Sequence, residues 1–281
     1  MRRILRKQRT RFLLLDIVAL LIAIIFLFPL YWIIVGSLKT DPQIFSSVPT
    51  FWPTEPQFSN YTSQLQGSAS LLDTLPNSAI TALSNMVISV VLAVPAAYGI
   101  ARFKMRGKRG IILAFLTTQM LPSSLVLTPL FLTYSKIGLL NTLIAPIMST
   151  ATISIPFTVV VLRPIFMACP KELEEAGRID GCNRFTAFLR VVMPVSKTGL
   201  VTVGCFAFVH GWNDLVYNMT FVTSTKYRTM TSGIYNLMNE YGTQWNKIMA
   251  YGVILVTPVI VLFVLAQKYI VGGLTSGSVK E

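Results

Sequence analysis

Residues 172–194 read ELEEAGRIDGCNRFTAFLRVVMP, a charged, helix-forming segment broken at Gly181 and lodged between two apolar runs, about 142–166 and 195–219. Four more apolar runs lie at about 12–35, 75–101, 110–133 and 248–270. A bilayer asks for roughly 20 apolar residues per helix, because no backbone polar group can be left unpaired in hydrocarbon. With 53% hydrophobic and 12% charged residues in 281, and a mean hydropathy of +0.62, the chain carries more apolar surface than one soluble core can bury. It is expected to be all-α, a polytopic membrane protein of six transmembrane helices that presents 172–194 to a soluble partner.

The formal charge of +13 is distributed unevenly. Nineteen of the 24 Lys and Arg residues fall in the tail before span one, after span two, around 163–197 and after span six. Lys39, Lys136, Lys226, Arg228 and Lys247 fall on the other face. The positive-inside rule then makes both termini and the charged segment cytoplasmic. The charge thus reads as topology, and no nucleic acid is expected as a partner. The first apolar run exceeds the roughly 7–15 residues of a signal-peptide core, so it is read as an uncleaved span. Cys169, Cys182 and Cys205 lie in or beside the cytoplasmic half, without CxxC spacing; neither a disulfide framework nor a metal site is implied.

The organisation expected is a single transmembrane domain over 1–281, with an N-tail at 1–11 and a C-tail at 271–281. Outer loops are placed at 37–74 and 220–247, and a cytoplasmic segment at 170–194. The loop at 37–74 is rich in Pro, Ser, Thr, Gln and Asn, with aromatics that suit either an interfacial belt or an external protein contact.

Catalytic chemistry finds little support. There is no GxxxxGK[ST] to cradle phosphates, and the one histidine, His210, has no second histidine for a metal site. The chain is therefore not expected to be an enzyme. Polar residues inside spans are costly in lipid and face either a cavity or another helix. His210, Trp212, Asn213, Asp214 and Asn218 in span five, Gln119 in span three and Asn77 in span two are candidates for a substrate pathway. Joining helix to helix is the competing role for each. Pro29, Pro95, Pro122, Pro129, Pro146, Pro156 and Pro258 are expected to bend or break their spans.

Within the charged segment, Pro170 suits a first turn, and Glu172, Glu174 and Glu175 suit the positive end of a helix. Gly181 can end that helix, and Asn183 can cap a second carrying Phe185, Phe188, Leu189 and Val192 as one apolar stripe. A short helix lying on lipid is the plain alternative, but anionic headgroups would repel the acidic first half.

Glu175-Ala176-Gly177, three residues, Gly181, nine residues and then VVMP at 191–194 resemble the EAA loop of ABC importer permeases. The chain departs from that pattern in Gly177, Val191 and Met193. NSAITA at 77–82, AAYGIARFKMRGKR at 96–109, QMLPSSLVLTPLF at 119–131, IGLLNT at 137–142, HGWNDLVYN at 210–218 and YIVGGLTSGSVK at 269–280 are similar to segments of the maltose-type carbohydrate-uptake permeases, and to their shorter, six-span subunit. The resemblance implies a type I importer permease fold and a bacterial inner or plasma membrane location. It implies a second permease subunit, two cytoplasmic ABC ATPase subunits and an extracytoplasmic sugar-binding protein as partners, besides membrane lipid. ATP and Mg would sit on the ATPase subunits, with no cofactor bound by this chain. Docking to the ATPase would fall to Glu174, Glu175, Ala176, Gly177, Asp180, Gly181, Phe185, Phe188 and Pro194. Ser276, Gly277 and Lys280 match a tail segment with coupling contacts of its own. The function implied is import of a carbohydrate, with oligosaccharides expected as substrates, by alternating access; glycerol phosphate, a polyol or an acidic sugar are alternatives, and an ion-coupled secondary transporter is a further one.

Overall fold

The computed structural model describes the backbone of residues 2–66, 70–239 and 244–275, and the side chains of 14–66, 70–235 and 244–270. Ser276, Gly277 and Lys280 lie outside the described residues. The main helices are α1 (Arg2–Ser37), α2 (Leu71–Arg102), α3 (Lys108–Met120), α4 (Ser123–Lys136), α5 (Ile144–Ala168), α6 (Lys171–Ile179), α7 (Arg184–Ala187), α8 (Lys197–Trp212), α9 (Val216–Phe221), α10 (Met230–Asn239) and α11 (Trp245–Thr275). Four stretches, within α1, α2, α5 and α11, are each long and apolar enough to cross a membrane. Two bent pairs, α3 with α4 and the 184–195 stretch with α8, raise the number to six if each is one span.

The expected third span is therefore not one helix. Pro122 cannot donate to the helical ladder and drives Leu121 out of the helical region, to φ −78° and ψ 124°, so the chain turns through 95°. Span five, expected to run to 219, stops at Trp212. Asp214 then caps α9, its carboxylate accepting from the N–H groups of Tyr217 (3.1 Å) and Asn218 (3.0 Å). Pro29, Pro95, Pro129, Pro156 and Pro258 break no helix, each lying inside a continuous one, and Pro146 lies in the first turn of α5.

The chain forms two compact units. In the first (Met1–Gln66 with Leu237–Leu255), α1 exposes Leu14 through Phe28 almost all round, as a helix solvated by lipid does. The loop after it is organised by buried Asn60, whose amide donates to the carbonyls of Ser37 (2.9 Å) and Lys39 (3.2 Å).

In the second unit (Gly67–Asn236 with Val256–Glu281), α2, α5 and α8 pack closely. Small residues allow this: Gly211 lies so near α2 that a Cβ there would stand 2.8 Å from the Ala82 Cα. Polar glue adds specificity. Fully buried Asn85 on α2 donates to Ser154 Oγ on α5 (3.1 Å) and to the Ala207 carbonyl on α8 (2.6 Å). One end of this bundle is sealed by an apolar cluster of Ala97, Ile100, Val159, Leu162, Phe166 and Val203, which also takes in Phe188 and Val192 of the charged segment.

Candidate functional site

Two regions of the second unit hold the residues singled out by sequence. At the first, α5 ends at Ala168, and an extended Cys169–Pro170 link turns the chain into α6. The helix stops in a Schellman arrangement: Cys182 N–H reaches the Gly177 carbonyl (2.9 Å), Gly181 N–H reaches that of Arg178 (3.2 Å), and Gly181 takes φ +88°. Asn183 then caps α7 by accepting from Thr186 N–H at 2.8 Å. Gly177 is buried against Val191, which a Cβ would meet at 3.1 Å, so the two arms of this hairpin lie close together.

The second arm departs from a plain helix. After α7 it widens into a π turn at Phe188–Val192 and passes through Met193–Val195, where Pro194 has no N–H to continue the ladder. The expected apolar stripe is consequently divided. Phe188 and Val192 enter the core, while Phe185 (67% exposed) and Leu189 remain outside.

The docking residues inferred from the motif divide in the same way. Glu175, Ala176, Asp180, Gly181, Phe185 and Pro194 are exposed, whereas Gly177 and Phe188 are buried. Glu174 turns inward and pairs with Arg102 at 2.6 Å. A cavity of about 220 Å³ is lined here by Tyr98, Arg102, Lys171, Glu174, Glu175, Arg178 and Arg184, among others. Beneath it Cys169 is buried, which pushes its thiol pKa up and keeps it protonated. The sequence reading missed Ile179, 86% exposed beside Glu175, because an apolar residue on a short charged helix signals nothing unless its face is known.

Gly181→Val should act through backbone strain alone, since nothing lies within 4 Å of a Cβ at that position. Left-handed backbone costs a side-chain-bearing residue roughly 1–2 kcal/mol, more for a β-branched one. Trypsin cleavage at Arg178 and Arg184 in purified protein should therefore run about 5-fold faster than in the wild type, with Gly181→Asn milder. Equal cleavage of wild type and valine variant would contradict this account of the turn.

The second region is a cavity of about 390 Å³ lined by Ser123, Thr150, Ile153, Phe206, His210, Asn213, Asp214 and Tyr217, among others. Of the pathway candidates, His210, Asn213 and Asp214 meet here. The remaining ones are placed elsewhere. Asn77 donates to the carbonyls of Lys226 (2.8 Å) and Arg228 (3.0 Å). Asn218, fully buried, accepts from Thr229 N–H (3.2 Å) and Ser232 Oγ (2.8 Å), so both amides hold the segment after α9 in position. Trp212 is buried and stacked on Phe208, and exposed Gln119 donates to the Ile153 carbonyl at 3.0 Å. Ser123, Thr150, Phe206 and Tyr217 were not singled out in the sequence, because they sit on four different helices that only the fold brings together.

Comparison with known proteins supplies the context for these two regions. A family model described as binding-protein-dependent transport system inner membrane component matches residues 89–275. The trehalose/maltose transport system permease protein MalG of Thermococcus litoralis is 31% identical, over 98% of this chain and 99% of its own. The diacetylchitobiose uptake system permease protein DasC of Streptomyces coelicolor is 29% identical, over 94% of this chain and 96% of its own. In fold, the chain is similar to a chain from the crystal structure of a bacterial ABC transporter involved in the import of the acidic polysaccharide alginate, with a TM-score of 0.74, 21% identity, and coverage of 94% of this chain and 98% of that one.

Proposed function

Because the chain belongs to the family of binding-protein-dependent transport system inner membrane components, we propose that it is the permease subunit of an ATP-driven importer whose substrate is a neutral saccharide. It forms half of the translocation pathway, beside a second permease subunit, and receives its substrate from an extracytoplasmic binding protein. ATP and Mg are bound by two cytoplasmic ATPase subunits rather than by this chain. Both termini and the hairpin of α6 and α7 face the cytoplasm, in keeping with the side on which the Lys and Arg residues concentrate.

The observation that carries this reading is the hairpin itself. A hairpin exposing Glu175, Ile179 and Phe185 to solvent, while its second arm also enters the core of the spans, is suited to gripping a soluble subunit and moving the spans with it. Closure of the ATPase pair on ATP draws the docked hairpin along, and the spans rock from inward-open to outward-open; hydrolysis resets them. The nucleotide drives this only because the partner binds it more tightly in one of the two states.

For the substrate class, the support is the saccharide named for both curated relatives and the chemistry of the larger cavity. Its lining offers hydroxyl, amide, imidazole and carboxylate groups next to the ring of Phe206, and no Lys or Arg is among the described residues lining it. Such a lining reads hydroxyl groups and an apolar sugar face, and provides no countercharge for an anion.

Uptake by right-side-out vesicles carrying the complete transporter, with its binding protein outside and ATP loaded inside, tests the proposal. With a panel of radiolabelled disaccharides and chito-oligosaccharides, uptake of at least one should require ATP and persist after an uncoupler collapses the proton gradient. Uptake that ignores ATP and stops with the uncoupler would make the chain an ion-coupled transporter.

A further inference from the structure

Helix α6 carries the docking residues, yet it has little apolar attachment to the spans. Gly177 is its buried residue, while Leu173 is 40% and Ile179 86% exposed. The link behind it is the extended Cys169–Pro170 pair, so α6 is not carried on from α5 by a continuous helix. What ties the first half of α6 down is polar. Glu174 meets Arg102, the last residue of α2, at 2.6 Å between Oε1 and Nε, with side-chain exposures of 17% and 7%. Tyr98 OH donates to the other carboxylate oxygen at 2.9 Å, and Arg102 Nη2 donates to the Cys169 carbonyl beyond the end of α5 at 2.7 Å. The Tyr98 ring is itself fixed, 4.4 Å from that of Phe188 in the second arm and 5.9 Å from that of Phe166 on α5. Glu174 thus ties α6 to α2 through one carboxylate, and Arg102 carries the tie on to the end of α5.

We propose that Glu174, held by Arg102 and Tyr98, is a positioning residue that transmits movement of the docked hairpin to the spans, and is not itself a docking residue. Successive residues of a helix point about 100° apart, so neighbouring glutamates can serve different surroundings: Glu175 is exposed, and Glu174 is partly buried against α2. The inference rests on the function proposed above. The close Nε–Oε1 approach is an ion pair rather than an aligned hydrogen bond, so its strength lies in charge. Removing the charge from one partner leaves the other poorly compensated in a half-buried site and loosens the tie.

Glu174→Gln tests this effect, because glutamine keeps the size and can still accept from Tyr98 through its one carbonyl oxygen, while an uncharged NH2 replaces the oxygen that faces Arg102. In the reconstituted full transporter, the variant should retain its ATPase subunits, since Glu175, Ile179 and Phe185 are untouched. ATP hydrolysis should continue, while substrate imported per ATP hydrolysed falls about 10-fold. Glu174→Asp, which keeps the charge, should recover much of that ratio. Loss of ATPase subunits from Glu174→Gln would make Glu174 a docking residue after all. A wild-type ratio, or hydrolysis and import falling in equal proportion, would show that the pair has no transmitting role. If the wild-type transporter imports without ATP, the function proposed above fails, and this inference with it.

Discussion

Glu175→Lys is expected to abolish ATP-driven uptake while leaving the protein in the membrane at wild-type abundance. The carboxylate is exposed at the outer face of α6, and the one ion pair found among the described residues, Arg102–Glu174, does not involve it. Folding therefore asks nothing of its charge. The motif resemblance sets this glutamate against a basic residue of the ATPase, and a lysine there would oppose like charges across the contact. Such juxtapositions cost several kcal/mol at an interface, enough for a loss of two or more orders of magnitude in affinity. Lys171, Arg178 and Arg184, which share the cavity with Glu175, would add to the repulsion. Retention of ATPase on the detergent-purified chain, with uptake in vesicles, checks this. A variant that keeps its ATPase and imports normally would remove Glu175 from the interface.

Gly211→Leu should have the opposite profile: no functional protein at all, because the bundle cannot close. A Cβ at 211 would stand 2.8 Å from the Ala82 Cα, 3.0 Å from the Asn85 Cβ and 3.2 Å from the Thr81 carbonyl oxygen. Two of these three atoms belong to the α2 backbone, so no side-chain rotation relieves the clash. Overpacking of a well-packed core costs about 1–3 kcal/mol even where side chains can yield, and here the helices must separate. Separation would also strain the hydrogen bonds of Asn85 to Ser154 and Ala207, which tie α2 to the other two helices. Membrane-fraction abundance and thermal aggregation in detergent are the measurements; near-normal levels would mean that α2 and α8 are not in contact as described.

What the sequence discloses, and what it withholds, follows from the range of each interaction. Hydrophobic runs and charge asymmetry are local properties, so four of the six spans could be placed within a few residues. The turn at Gly181 and the cap at Asn183 were equally legible, since both depend on neighbours one to five residues away. The break at Pro122 lay within reach, but Pro95, Pro129, Pro156 and Pro258 carry the same signal and sit in unbroken helices. Packing against neighbouring helices decides which prolines interrupt a span, and that information is not local. The site residues show the same division. Glu174 and Glu175 are indistinguishable by composition; their different surroundings depend on Arg102, 72 positions before Glu174, whose charge signalled only topology. Asn77 and Asn218 drew notice as intramembrane amides, and the structure assigns both to holding the segment at 226–232.

The central claim is that the exposed face of α6 meets a soluble ATPase. A photo-crosslinking amino acid at Ile179, in the assembled transporter within native membranes, tests it most directly, with the same group at Leu265 on the lipid-exposed surface of α11 as the control. The account predicts that the probe at 179 captures a soluble nucleotide-binding subunit and that the probe at 265 does not. Capture of lipid alone at 179, or of no partner at either position, would contradict it.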